Sequence, residues 1–141
     1  MEKNLSDGLP LPLRYGAIAT IIIGISMAVL DGAIANVALP TIASDLQASP
    51  ASSIWIVNAY QIAIVISLLS FSFLGDMFGH RRVYQCGLVV FTFTSLLCAL
   101  SDSLHTLTLA RIAQGFGGAA LMSVNTALIR LIYPQRHLGR G

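Results

Sequence analysis

Charge is the scarcest commodity in this sequence. Eight basic and six acidic residues make up only 10% of 141, while 55% are hydrophobic and the mean hydropathy is +0.77. Soluble globular chains carry about 25% charged residues, so this composition excludes them and points to a chain that lives in a bilayer. With so few basic residues, the net charge of +2 offers no nucleic-acid surface and instead reports membrane topology. There are two cysteines, Cys86 and Cys98, twelve residues apart on one apolar run. At 1.5 Å per helical residue they stand about 18 Å apart, beyond disulfide reach within the chain. No HExxH, GxSxG or Walker-type pattern occurs, and His80, His105 and His137 lack metal-ligand spacing. Neither enzyme chemistry nor a cofactor or metal is expected. The opening MEKNLSDGLPLPLR mixes charges with two prolines and lacks the pattern of a cleaved signal peptide.

What is present is a series of apolar runs. Four spans are predicted, at about 15–39, 51–75, 83–100 and 104–132, after a polar leader over 1–14 and before a basic tail over 133–141. Pro40 is expected to help end the first span, and Ser49 before Pro50 reads as an N-cap with proline at the first helical position of the second. Trp55 stands where an interfacial anchor would sit, and Ser101, Asp102 and Ser103 form a polar turn with helix-capping residues. Lys3 and Arg14 precede span one, Arg81 and Arg82 separate spans two and three, and Arg130, Arg136 and Arg140 mark the end of span four. The other two connections hold no Lys or Arg. By the positive-inside rule the N-terminus, the central loop and the tail are cytoplasmic. An integral protein of a bacterial inner membrane is expected.

Only Asp31 and Arg111 lie deep inside apolar runs. A charged group at bilayer depth costs a few kcal/mol or more, and such groups face a protein interior or a water-filled cavity and serve transport. Gly24, Ala28, Asp31 and Ala35 share one helical stripe, so the carboxylate faces a neighbouring helix or a cavity. The four-span topology puts Asp31 and Arg111 at about the same depth, roughly 10 to 14 Å below the outer surface. Arg111, Gln114, Gly118 and Asn125 fall near one face of span four, and Asn58 and Gln61 form an uncharged polar patch beside Tyr60 on span two. These residues are the candidate lining of a substrate and proton cavity. Gly115, Gly117 and Gly118 read as close helix contacts. In the central loop Asp76 is suited to bond the free amides of a helix start, Gly79 permits a tight backbone, and Arg81 and Arg82 suit an anionic lipid surface.

Three stretches resemble the major facilitator superfamily, and within it the fourteen-span drug:proton antiporters. LDGAIANVALPTI is similar to that group's first-helix motif, with Asp31, Asn36, Ala38, Leu39 and Pro40 in place. SFLGDMFGHRRVY resembles the loop motif G-x-L-A-D-R-x-G-R-K at Leu74, Asp76, Gly79 and Arg81, and departs from it at Ser72, Gly75, Met77 and His80. LTLARIAQGFGGAA resembles the fourth-span motif L-x-x-x-R-x-x-Q-G-x-G-x-A at Leu107, Arg111, Gln114, Gly115, Gly117 and Ala119. The resemblance implies an all-α membrane fold, the first four helices of a six-helix N-terminal bundle, with spans one and four lining the central cavity. It implies that Arg111 takes part in proton coupling and that the loop motif clamps the two halves of a transporter on the cytoplasmic side. The implied function is the N-terminal part of a proton-coupled multidrug exporter, with protons, amphipathic or cationic substrates, the bilayer and further spans as partners. The alternatives are a complete four-span transporter working as a dimer, whose relatives lack the loop and fourth-span motifs, and a non-transporting membrane remnant.

Overall fold

A backbone that crosses hydrocarbon must satisfy its own hydrogen bonds, and apolar runs of this length do so as helices. The computed structural model describes residues 11–45 and 49–132, and it folds them into four helices: α1 Leu11–Asp45, α2 Pro50–Phe78, α3 His80–Ala99 and α4 Leu104–Ile132. The expected leader over 1–10 and tail over 133–141 lie outside the described residues. Among those described, Pro12–Ala38, Ala51–Phe78 and His80–Ala99 are long and apolar enough to cross a membrane by length and composition. The fourth expected span corresponds to α4, which has 29 residues but also bears Arg111 and Gln114 and turns these polar groups inward.

The ends of the helices show which local signals win. Ser49 caps α2 as its place before Pro50 suggests, its hydroxyl accepting from the Ser52 amide at 3.3 Å. Ser103 and Thr106 cap α4 reciprocally, each side-chain oxygen accepting from the other residue's amide at 3.3 Å. Pro40, by contrast, does not end the first helix, which runs on to Asp45. Proline there removes a single amide that would have bonded the Asn36 carbonyl, a loss that membrane helices tolerate. α1 also begins earlier than expected, with Pro12 in its first turn, where the missing amide would have had no partner anyway.

The break between α2 and α3 is a single residue. Gly79 takes φ +95°, a region open to glycine, and its carbonyl accepts from the Arg82 and Val83 amides at 3.0 and 3.2 Å. Arg81 and Arg82 therefore belong to the first turn of α3, not to a loop. Asp76 sits in the last turn of α2 and does not cap α3, whose N-cap, Gly79, has no side-chain hydrogen bond. It meets His80 instead, Nε2 to Oδ1 at 3.5 Å.

α4 is the central helix and packs most extensively against α3 and α2. Small residues allow the approach. A β-carbon on Gly117 would fall 2.7 Å from the backbone nitrogen of Phe91, and one on Gly115 would fall 2.7 Å from Ala63 and 2.8 Å from the Tyr60 carbonyl oxygen. Two residues apart, these glycines open opposite sides of α4 to α3 and α2. α1 joins through the core formed by Ile21, Val83, Tyr84, Phe91, Ala120, Leu121 and Val124. The Tyr84 hydroxyl occupies the space beside Gly24 and donates to the Thr20 carbonyl at 2.9 Å, tying α3 to α1. Large apolar side chains such as Ile22, Val29, Val65, Leu69, Val89 and Phe93 point outward, as lipid-facing residues do.

Candidate functional site

The stripe of small residues on α1 carries a charge, Asp31, that the fold pairs. Asp31 and Arg111 side chains are 16% and 10% exposed, and Arg111 Nη1 donates to Asp31 Oδ2 at 2.7 Å. Residues three apart on a helix share a face, so Gln114 meets the same pair. Arg111 Nη1 also donates to Gln114 Oε1 at 2.9 Å, and Gln114 Nε2 donates to Asp31 Oδ1 at 2.9 Å. Both carboxylate oxygens thus accept from α4. Tyr60 of α2 supplies the next wall, its ring centroid 5.8 Å from Arg111 Cζ, within cation–π range.

Gln114 is completely buried, and every polar site on its amide is used. Beyond its bonds to Asp31 and Arg111, Nε2 donates to Ser95 Oγ at 2.6 Å and Oε1 accepts from Cys98 Sγ at 3.6 Å. Three helices therefore converge on one amide. The opposite orientation would set an oxygen against the carboxylate and an NH2 against the guanidinium, so the charges dictate which way it points. Removing either charge from such a buried pair strands the other, at about 3–5 kcal/mol. The two charges are therefore stable only together.

A cleft of about 80 Å³ opens beside the pair, lined by Gly32, Ala35, Asn36, Val57, Tyr60, Gln61 and Arg111. It is large enough for water and for one small polar group of a ligand. A second, apolar groove of about 420 Å³ lies elsewhere, among α2, α3 and α4, bordered by Phe71, Phe78, Val90 and Phe116. Its lining includes Arg82 but no amide side chain, whereas the smaller cleft is bordered by Arg111, the partner of Asp31.

Of the residues singled out by sequence, Asp31, Arg111 and Gln114 meet directly, and Gln61 is exposed at the cleft wall. Asn58 is exposed and does not line the cleft. Asn125 lies eleven residues beyond Gln114, about 16 Å along the axis, with a buried Oδ1 that has no partner among the described residues. It is not part of the cluster. Gly118 leaves room for the Tyr60 hydroxyl, 3.3 Å from where its β-carbon would be. Asp76, Gly79, Arg81 and Arg82 gather at the other end of the described fold, where α2 turns into α3. Sequence reasoning missed Ser95 and Cys98. Their signal was a hydroxyl and a thiol continuing the face of α3 that begins with Gly87 and Phe91.

A family model described as Major Facilitator Superfamily matches residues 21–141. The chain belongs to the Major Facilitator Superfamily. It is thus an integral membrane protein chain from a family of transporters, and Asp31 lies within a helix long and apolar enough to cross a membrane. The chain is 84% identical over all 141 residues to the uncharacterized transporter YebQ of Escherichia coli strain K12, covering 31% of that protein. It is 38% identical over 128 residues, 91% of this chain, to the riboflavin transporter RibZ of Clostridioides difficile, covering 28% of it. It is 33% identical over 132 residues, 91% by coverage, to the multidrug export protein EmrB of Haemophilus influenzae, covering 26% of it. The chain spans less than a third of the length of each of these superfamily relatives.

Proposed function

We propose that this chain is the N-terminal part of a fourteen-span, proton-coupled exporter of amphipathic or cationic compounds, in which Asp31 carries the proton. The observation that carries the reading is the desolvated cluster of Asp31, Arg111 and Gln114 beside a small cleft. A carboxylate can exchange a proton where an amide cannot, and Arg111 provides its counter-charge where water is largely excluded. Protonation dissolves the ion pair and releases Arg111, so the charge state of one atom pair changes how tightly α1 is held to α4. Tyr60 and Gln61 at the cleft suit an aromatic or cationic ligand. The multidrug export named for the Haemophilus influenzae relative supports this substrate class.

In proteoliposomes of the full-length transporter, an imposed pH gradient is expected to drive transport of a cationic dye, and collapsing the gradient with an ionophore is expected to stop it. Transport indifferent to the gradient would contradict proton coupling. The distribution of Lys and Arg supports a cytoplasmic N-terminus in the inner membrane. Accordingly, Asp102→Cys is expected to label with an impermeant thiol reagent from outside the cell and Arg81→Cys only after the membrane is opened; the reverse pattern would invert the topology.

A further inference from the structure

The Gln114 amide is held from α3 as well as from α1 and α4. Its Nε2 carries two N–H groups in one plane, about 120° apart, so fixing the direction of one aims the other. One goes to Ser95 Oγ at 2.6 Å, the shorter of the two, and the other to Asp31 Oδ1 at 2.9 Å. Gln114 is wholly buried, so no bulk water stands ready to replace a lost acceptor. We propose that Ser95 is a positioning residue for proton coupling: by accepting from Gln114 Nε2 it aims the second N–H at the Asp31 carboxylate and so helps set the pH at which that carboxylate takes up a proton. This rests on the reading of Asp31 as the proton carrier.

Among the described residues, the titratable and charged groups facing Asp31 are Arg111 from α4, Tyr60 from α2 and Cys98 from α3. Ser95 changes none of these charges. It acts only through the amide, and that separates it from an electrostatic partner. Without the hydroxyl, a buried N–H loses its acceptor, and the amide turns to recover one at the expense of its bond to Asp31. The charged carboxylate then has one donor fewer, which favours the protonated form. Cys98 holds the other side of the amide more weakly, through a sulfur contact at 3.6 Å.

The test is the pH profile of gradient-driven dye efflux by the full-length transporter, reconstituted at equal protein, for wild type, Ser95→Ala, Ser95→Thr, Gln114→Leu, the Ser95→Ala/Gln114→Leu double variant and Asp31→Asn. Ser95→Ala is expected to move the midpoint alkaline by about half a pH unit, a fraction of the full hydrogen bond to a charged group. Ser95→Thr keeps the hydroxyl and is expected to stay near wild type. In the Gln114→Leu background Ser95→Ala is expected to add no further shift. An unmoved midpoint in Ser95→Ala, or an equal shift with Gln114 absent, overturns the positioning role while leaving Asp31 as carrier. Retained gradient-driven efflux in Asp31→Asn overturns the functional reading itself, and the proposal with it.

Discussion

Asp31→Asn in the full-length transporter is expected to reduce gradient-driven efflux to the level of empty liposomes while the protein still inserts and folds. The amide is nearly isosteric with the carboxylate. Its oxygen can accept from Arg111 Nη1, which now reaches Asp31 Oδ2 at 2.7 Å. What disappears is the exchangeable proton, and no second carboxylate stands in the cluster to replace it: the other described acids, Asp45, Asp76 and Asp102, lie at helix ends. Leaving Arg111 without its counter-ion carries a stability cost, moderated by the bond that Arg111 keeps to Gln114 Oε1 at 2.9 Å. The variant should therefore be recovered in lower yield but bind dye. Efflux of a cationic dye driven by a pH gradient, measured with dye binding on the same preparation, checks this. Undiminished efflux would show that Asp31 serves structure alone.

Gly117→Val is expected to have the largest effect on folding. Its β-carbon would meet Phe91 backbone nitrogen and Cα at 2.7 and 2.9 Å, atoms that cannot rotate aside as a side-chain tip could. α3 and α4 must separate, and overpacking of this kind costs about 1–3 kcal/mol, with the extra methyls of valine pushing toward or past the upper end. The main loss is contact around Phe91, Ala120 and Leu121, which are almost wholly buried. Gly118→Ala, one position along, should be nearly neutral, because its β-carbon meets only the Tyr60 hydroxyl at 3.3 Å and Ile64 side-chain carbons at 3.5 Å and beyond. Thermal unfolding in detergent checks the pair. Equal melting temperatures for the two variants would refute the backbone contact between α3 and α4.

The cluster was legible because its signal is energetic. A charge in an apolar run is too costly to be incidental, and Asp31 and Arg111 are the only two such charges; the sequence put them at one depth, and the packing of α1 against α4 joins them. Gln114 followed from its spacing to Arg111. Asn125 stands apart from the pair, since helical periodicity gives the direction a residue faces but not its height, and three turns separate it from Gln114. Asn58 does not line the cleft, because closeness to Tyr60 in sequence says nothing about which side of α2 borders it. Ser95 carried no energetic flag at all, since a serine on a membrane helix can bond its own backbone, and only the approach of α4 gives it Gln114. At the helix ends, Gly79 was legible as a turn, yet the charges of Arg81 and Arg82 suggested a longer loop than one glycine at positive φ requires. Pro40 shows a local breaker overridden by the helix on either side of it.

The central claim is that one proton resides on Asp31 and leaves or enters as the substrate site fills. The most direct measurement is proton exchange on adding a cationic dye to the full-length transporter in weakly buffered detergent solution, followed with a pH indicator, for wild type and Asp31→Asn. The account predicts release of about one proton per bound dye by wild type at a pH where Asp31 is largely protonated, and no release by Asp31→Asn at the same dye occupancy. Equal proton release by both proteins would contradict it and move the coupling site away from Asp31.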